Sequence, residues 1–315
     1  MTQPVEWEYQ EETRHDSNIP RLTVLMSVYN NEQYVRSAIE SVVQQSYNDF
    51  EFIIFDDAST DASKDIICSY SDVRIQRFFS KHNVGQAMLL NYGISVARGD
   101  YIAIMDADDI SLRERFLRQI TYLDQNLDIS ICGTWAKTFG LLGEKIWTQP
   151  VDHCYIQCYL LFDSPLIHPT TMIRRADLVQ YQLLYDEKKR YAKDYDFFAR
   201  CSSTLKMSNI PEILLKYRQS SGQISIAHRT EQLQSADSTR ERLITQYFKA
   251  SKEGVDIHNM LSKPTDNLAV VEKVRDWLVF LLRCNNEQKL YDTELFQEVV
   301  FLHWKRFCNS FLKKS

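Results

Sequence analysis

The sequence predicts an α/β protein with a mainly parallel sheet, followed by an all-helical C-terminal region. Between residues 22 and 139, short apolar runs of strand length alternate with stretches of helical periodicity, the pattern of a sheet covered on both faces. From about residue 229 onward only helical spacing remains. Three of the apolar runs end at Tyr29, Phe55 and Met105, and polar or acidic residues follow each. Sheets of this kind bind ligands at the carboxyl ends of their strands, so those turns are where chemistry is expected.

Residues 1–19 are polar and lack periodicity, which predicts a loose arm. Leu22–Tyr29 is a buried-strand run, and Asn30 with Gln33 three residues on predicts the cap of a helix over 31–46. Glu51–Phe55 is a second strand. Ser59, Thr60 and Asp61 are caps for a helix ending near Tyr70. A third strand at Val73–Phe79, a helix at 84–97 and a fourth strand at Tyr101–Met105 follow. Ser111 and Glu114 have the spacing of a capping box for the next helix, and Ile129–Phe139 is a further strand. Beyond about 145 the pattern loosens. Residues 150–165 and 194–205 look helical, 168–175 strand-like, and Ile213–Arg218 is an edge strand. In the tail, Val270, Val274, Trp277, Leu278 and Leu281 keep helical spacing, as do Phe296, Val299, Val300, Trp304, Phe307 and Phe311. The expected organisation is an arm at 1–19, an α/β domain at 20–228 and a helical region at 229–315.

Composition narrows the function. The 315 residues carry 37 basic and 42 acidic side chains, a net charge of −5, which argues against a broad nucleic-acid surface. The 8 glycines cannot be arranged into GxGxxG or GxxxxGK[ST], so the backbone-cradle routes to a phosphate are closed. No run approaches the roughly 18 apolar residues of a membrane span. Glu6, Glu8, Glu11 and Glu12 are the reverse of a signal peptide. The 7 scattered cysteines read as reduced thiols, and a cytoplasmic protein is the expectation. His153, Cys154 and Cys158 read as a helix face, because no second close pair accompanies them.

The densest acidic cluster, Asp106-Ala107-Asp108-Asp109, directly follows an apolar strand. Residues two apart at a strand end can point to one side, so Asp106 and Asp108 can converge on one hard divalent cation, Mn²⁺ or Mg²⁺. The competing expectation is that Asp108 or Asp109 only caps the helix beginning near Ser111. The second cluster, Asp56-Asp57-Ala58-Ser59-Thr60-Asp61, offers a carboxylate to an imide N–H or a ribose hydroxyl, or else forms an Asx-turn with a helix cap.

In chain order, the strand ending at Tyr29-Asn30, FDDASTD (55–61), KHNVG (81–85), ARGDYIAIMDADD (97–109), SPLIHPTTMIRR (164–175), KDYDFFAR (193–200) and IPEILLKYR (210–218) together resemble the family 2 glycosyltransferases of GT-A fold. The resemblance covers about residues 21–226 and leaves out the helical tail. It implies a Rossmann-like mixed sheet and a nucleotide-diphospho-sugar donor, with UDP the first choice of nucleotide. Asp57 matches the aspartate that reads the base, and Ser27 and Tyr29 the strand end that lines it. Asn83 and Gly85 match the chain passing close to the nucleotide. Asp106 and Asp108 match the metal-binding DxD pair, and His168 a residue near the donor phosphates. Asp194 matches the general base, with Asp196 as the alternative in the same motif. One position departs from the family: Lys193 stands where an acidic residue usually precedes the base, so a like charge is replaced by a cation.

The chemistry is coherent with those assignments. A nucleoside diphosphate leaving group needs its developing charge neutralised, and a separate carboxylate must take the proton of the attacking hydroxyl. One base opposite one leaving group gives inversion. The expectation is therefore an inverting, metal-dependent transferase acting on a saccharide or lipid-linked acceptor in surface polysaccharide or lipopolysaccharide synthesis. The alternatives are a nucleotidyltransferase, which usually carries a glycine- and lysine-rich loop absent here, and a catalytically impaired sugar-nucleotide-binding protein of the same fold. The last helix carries Lys305, Arg306, Lys313 and Lys314 beside Trp304, Phe307 and Phe311. It can lie on an anionic membrane surface or dock its apolar face on the protein.

Overall fold

The computed structural model describes residues 5–10, 19–220 and 228–313. Ten strands form one mixed sheet. Their ranges are β1 Trp7–Gln10, β2 Leu22–Val28, β3 Phe50–Asp56, β4 Ile75–Ser80, β5 Tyr101–Asp106, β6 Ile110–Ser111, β7 Ile129–Gly140, β8 Ile146–Trp147, β9 Met172–Arg174 and β10 Lys206–Gln219. The strand order is β1-β4-β3-β2-β5-β9-β7-β10-β6, and β8, off that path, pairs with β7. β4, β3, β2 and β5 run parallel, and antiparallel β9 joins them to β7, which pairs in parallel with β10. The parallel core is buried on both faces, hence the unbroken apolar runs: every residue of β3 is buried.

The helices are α1 Val35–Val43, α2 Ser63–Cys68, α3 Gln86–Val96, α4 Arg115–Gln125, α5 His153–Tyr159, α6 Arg175–Gln180, α7 Lys193–Cys201, α8 Arg229–Phe248, α9 Lys252–Met260, α10 Leu268–Gln288 and α11 Thr293–Leu312. α1 and α4 cover one face through Val35, Ile39, Phe116, Ile120 and Leu123. α3 covers the other through Leu89, Leu90 and Ile94. That second apolar cluster continues without a break through Tyr159–Phe162 into Leu243, Ile244, Trp277, Leu281, Phe296 and Val299 of the C-terminal helices. α11 buries Phe296, Val299, Val300 and Phe307 against it, while Phe301, Lys305 and Leu312 stay exposed. No helix among the described residues is long and apolar enough to cross a membrane.

Several local expectations change. Within the expected loose arm, β1 pairs antiparallel with β4, anchored by Trp7 on Phe55, Phe78 and Tyr92 with ring centroids 4.9–5.9 Å away. One indole suffices for that docking and leaves no periodicity to read. α1 begins at Val35, not 31, because Asn30 is left-handed (φ 47°) and its Oδ1 accepts from the Thr60 backbone N–H at 2.8 Å instead of capping a helix. Ser59 and Asp61 likewise accept from Asn30 N and Glu32 N, so the two turns bind each other. Ser111 lies in β6, where its Oγ accepts from Gln45 Nε2 at 3.1 Å. α4 starts at Arg115 with no side-chain cap, so neither the capping box nor a cap by Asp108 or Asp109 exists. Residues 168–170 form a turn of 3₁₀ helix ahead of the three-residue β9. β10 is interior, flanked by β7 and by β6 at the edge.

Candidate active site

The carboxyl ends of β2, β3 and β5 converge. Val28 is paired with Asp56 and Ser27 with Asp106, which places the first and second acidic clusters on either side of one strand end. Tyr29, half exposed, stands at the mouth. Asp57 is buried, and its two oxygens accept from the backbone N–H groups of Val84 (2.7 Å) and Gly85 (2.9 Å). Asn83 Nδ2 donates to the Asp57 carbonyl at 3.3 Å. Burial pushes the Asp57 carboxyl above its usual range, and the two amides pull it back. Asp57, Asn83 and Gly85 are therefore one unit, in which the carboxylate holds the 83–85 turn and keeps lone pairs for a ligand. Gly85 has φ 87° at the start of α3, with open space where a side chain would stand, so the backbone there is exposed to an incoming ligand.

The next residue, Gln86, links this unit to the second group: its Nε2 donates to Asp106 Oδ1 at 3.1 Å. Asp106 has its carboxyl raised by burial and by Asp108, an effect opposed by His168 and Lys193. Asp109 is sealed from solvent. Its Oδ1 accepts from the Arg218 N–H at 2.7 Å, its Oδ2 has no partner, and burial with Asp108 and Asp106 nearby drives its carboxyl well upward. Crowding of the three carboxylates thus favours the protonated form of the buried one, and of the three only Asp106 and Asp108 retain access to solvent. Behind them Arg115, fully buried, donates to the Ile104 carbonyl at 2.9 Å, and its guanidinium is drawn down to about 10 by burial.

His168 is buried, with Nε2 3.0 Å from the Tyr185 hydroxyl. Burial lowers its pKa against the pull of Asp106 and Asp194, so the ring is neutral near pH 7. Asp194, in the first turn of α7, is partly exposed and has no hydrogen-bond or ion-pair partner among the described residues. Asp196 is engaged elsewhere: it is buried and ion-paired to Arg200 (2.8 Å) and Arg242 (3.1 Å), which removes it as an alternative base. His153 accepts from Met207 N, and Cys158 is buried while Cys154 is exposed, as a helix face requires. Tyr195 donates to Leu160 O and Tyr185 stacks on Phe197, so both pack inward.

The residues the sequence singled out therefore fall into two adjoining groups, Tyr29, Asp57, Asn83 and Gly85 in one and Asp106, Asp108, His168 and Asp194 in the other, with Ser27 on the strand between them. Gln86, Arg115 and Arg218 had not been singled out. Arg218 donates from Nε to the Asp108 carbonyl at 2.6 Å and sits over the rings of Tyr34 and Phe139.

Among the described residues no three His, Cys, Asp or Glu side chains are grouped so as to hold a metal ion by themselves. Two hard carboxylates at a strand end suit Mg²⁺ or Mn²⁺, which commonly complete their shell with substrate phosphates and water. The donor set fits such an ion.

The Glycosyl transferase family 2 profile matches residues 23–182. An uncharacterized glycosyltransferase of Haemophilus influenzae is 34% identical over 253 residues, covering 76% of this chain and 77% of the relative. The chain belongs to glycosyltransferase family 2. A second relative, the uncharacterized glycosyltransferase MJ1057 of Methanocaldococcus jannaschii, is 35% identical over 207 residues, 63% of this chain and 71% of its own. Among solved structures, S. aureus TarS 1–349 in complex with UDP-GlcNAc superposes with a TM-score of 0.60 at 14% identity, covering 94% of this chain and 92% of that one. The mannosyltransferase PcManGT of Pyrobaculum calidifontis, in complex with GDP-Man and Mn²⁺, gives 0.57 at 14%, covering 91% and 88%. This family 2 enzyme therefore has the GT-A fold, extended by the C-terminal helices α8–α11.

Proposed function

We propose that this glycosyltransferase is an inverting, Mn²⁺- or Mg²⁺-dependent enzyme. It moves a hexosyl or N-acetylhexosaminyl group from a nucleotide-diphospho-sugar, a UDP-sugar first, to a hydroxyl of a saccharide or lipid-linked saccharide. The setting is surface polysaccharide or lipopolysaccharide synthesis at the cytoplasmic face of a membrane, which the exposed Phe301, Lys305 and Leu312 of α11 contact peripherally. One observation carries the reading: Asp194, a carboxylate with no hydrogen-bond or ion-pair partner among the described residues, and Asp106 both act electrostatically on the buried His168, so the base candidate and the acidic strand end belong to one site. The GT-A neighbours with UDP-GlcNAc or with GDP-Man and Mn²⁺ support a nucleotide-sugar donor.

In this mechanism Asp57, Asn83 and Gly85 hold the nucleotide, with Ser27 and Tyr29 lining the base. Asp106 and Asp108 would hold the ion, which when bound supplies positive charge to the departing diphosphate. Asp194 accepts the proton of the acceptor hydroxyl. The hydroxyl oxygen forms its bond to the anomeric carbon as the bond from that carbon to the diphosphate oxygen breaks. The nucleoside diphosphate leaves with the electron pair, and the configuration inverts. His168 stays neutral and, fixed by Tyr185, orients the phosphate side of the cleft.

The test is a panel of UDP-, GDP- and dTDP-sugars assayed for Mn²⁺-dependent donor hydrolysis, repeated with Asp108→Ala and Asp194→Asn. Each substitution is expected to abolish turnover while the thermal midpoint stays put. Near-wild-type turnover in either variant ends that assignment.

A further inference from the structure

Lys193 is the first residue of α7 and the neighbour of Asp194. It is partly buried, yet its ammonium makes no hydrogen bond or ion pair with any described residue. The cations around it are occupied: Lys189 Nζ lies 2.7 Å from Ser238 Oγ, and Arg200 Nε lies 2.8 Å from Asp196. An ammonium with no partner among the described residues is free to meet an anionic ligand. Its charge reaches across the cleft, favouring the ionised form of Asp106 and opposing protonation of His168.

The segment that leads into Lys193 runs along the whole cleft. It starts at Tyr185, which bonds His168. It passes Arg190, whose Nη2 lies 3.5 Å from Asn83 Oδ1 at the nucleotide end. It ends at Ala192, held in the left-handed conformation (φ 46°) just before α7 begins. A left-handed alanine is strained, so the turn that leads into Lys193 and Asp194 is fixed by the surrounding packing. Lys193 and Asp194 follow directly on a segment that touches His168 through Tyr185 and Asn83 through Arg190, and both act electrostatically on His168, which assigns them to the same site. The charge balance there is unfavourable without help, because Asp106, Asp108 and Asp194 together with a diphosphate outweigh one divalent ion.

We propose that Lys193 is a diphosphate-binding residue whose ammonium contacts the donor's phosphate oxygens and lets the nucleotide bind in the absence of metal. The proposal rests on the nucleotide-sugar reading above and names the group that completes that site.

The test is calorimetric titration of the full chain with UDP and with GDP, in EDTA and in Mn²⁺, for wild type and for Lys193→Met, Lys193→Arg and Lys193→Glu, each checked by thermal melting. Wild type is expected to bind in EDTA within about tenfold of its Mn²⁺ affinity. Lys193→Met, which keeps the aliphatic stem, is expected to lose at least about tenfold in EDTA and less in Mn²⁺, the size of one charge-assisted contact. Lys193→Arg should retain metal-free binding, and Lys193→Glu should abolish it. Equal metal-free affinity in wild type and Lys193→Met overturns this proposal alone, as does strict metal dependence in wild type. Failure of wild type to bind either nucleotide even in Mn²⁺ overturns the donor reading, and this proposal with it.

Discussion

Acidification should loosen the C-terminal helices from the sheet. Two histidines sit where α9 and α11 meet the Tyr159–Phe162 segment. His258 is 1% exposed, donates from Nε2 to the Leu161 carbonyl at 2.8 Å, and accepts from Trp277 Nε1 at 3.0 Å on its other nitrogen. His303 stacks on Phe162 with centroids 4.4 Å apart, and its Nε2 is sealed with no partner. Burial draws the two pKa values down to about 4 and about 3, and nearby arginines add to the effect. Both imidazoles are neutral in the folded protein and must take up a proton at about 6.5 once unfolded. The unfolded chain therefore binds more protons, so their contribution to stability is intact above pH 6.5 and is lost as pH falls toward 4 and 3. At pH 5 the loss is about 2 kcal/mol for His258 and at most about 2 kcal/mol for His303, whose ring keeps a solvent-facing edge.

Urea unfolding between pH 8 and pH 5 measures that loss. Asp106 and Asp109 work in the opposite direction, because their raised carboxyls bind protons more readily folded than unfolded. The clean measurement is thus the difference between wild type and His303→Phe, which keeps the stacking ring and removes the orphaned nitrogen. The variant should gain on wild type by up to about 2 kcal/mol between pH 7 and pH 5. A difference that stays constant across that range would refute a neutral, buried His303.

Two substitutions separate structural carboxylates from chemical ones. Asp57→Asn places an amide N–H against the Val84 or Gly85 N–H, costing about 1–3 kcal/mol in urea unfolding and at least about tenfold in UDP affinity by calorimetry; an affinity within twofold of wild type would show that the 83–85 turn does not hold the nucleotide. Asp196→Ala strands Arg200 and Arg242, both about a third exposed, so stability should fall by only about 2 kcal/mol in thermal melting while turnover per folded molecule drops less than tenfold. Lost turnover with unchanged stability would return Asp196 to the catalytic role.

The parallel core was legible because strands buried on both faces must be apolar throughout, and their polar ends mark where burial stops. For that reason Asp57, Asp106 and Asp108 stand out as residues even before their neighbours are known. Elements held by a few long-range contacts were not legible. β1 depends on one indole against three rings, and β10 becomes interior only because two residues of β6 pair outside it. Helix-cap readings failed where a polar side chain had a better partner across space, as Asn30 has in Thr60 and Ser111 in Gln45. Cap statistics describe a side chain choosing among its own chain neighbours, and these turns lie against other turns.

The same physics explains what the motifs alone do not show, which is how the turns that carry them are held against one another. Asn30 and Glu32 exchange four hydrogen bonds with Ser59, Thr60, Asp61 and Ala62 between the turns after β2 and β3, and Ala58 in the second turn is left-handed at φ 60°. Such a conformation persists only where surrounding bonds over-determine it. The FDDASTD segment therefore does two jobs: Asp57 serves the cleft, while Ser59 and Asp61 brace the turn that aims it. The braced turns fix Asp57 against the Val84–Gly85 amides, and Gln86, next in the chain, fixes Asp106. The Asp57 end and the Asp106 end are thus set at a constant spacing by the fold alone, which is the pre-organisation that the proposed diphosphate spanning both ends would require.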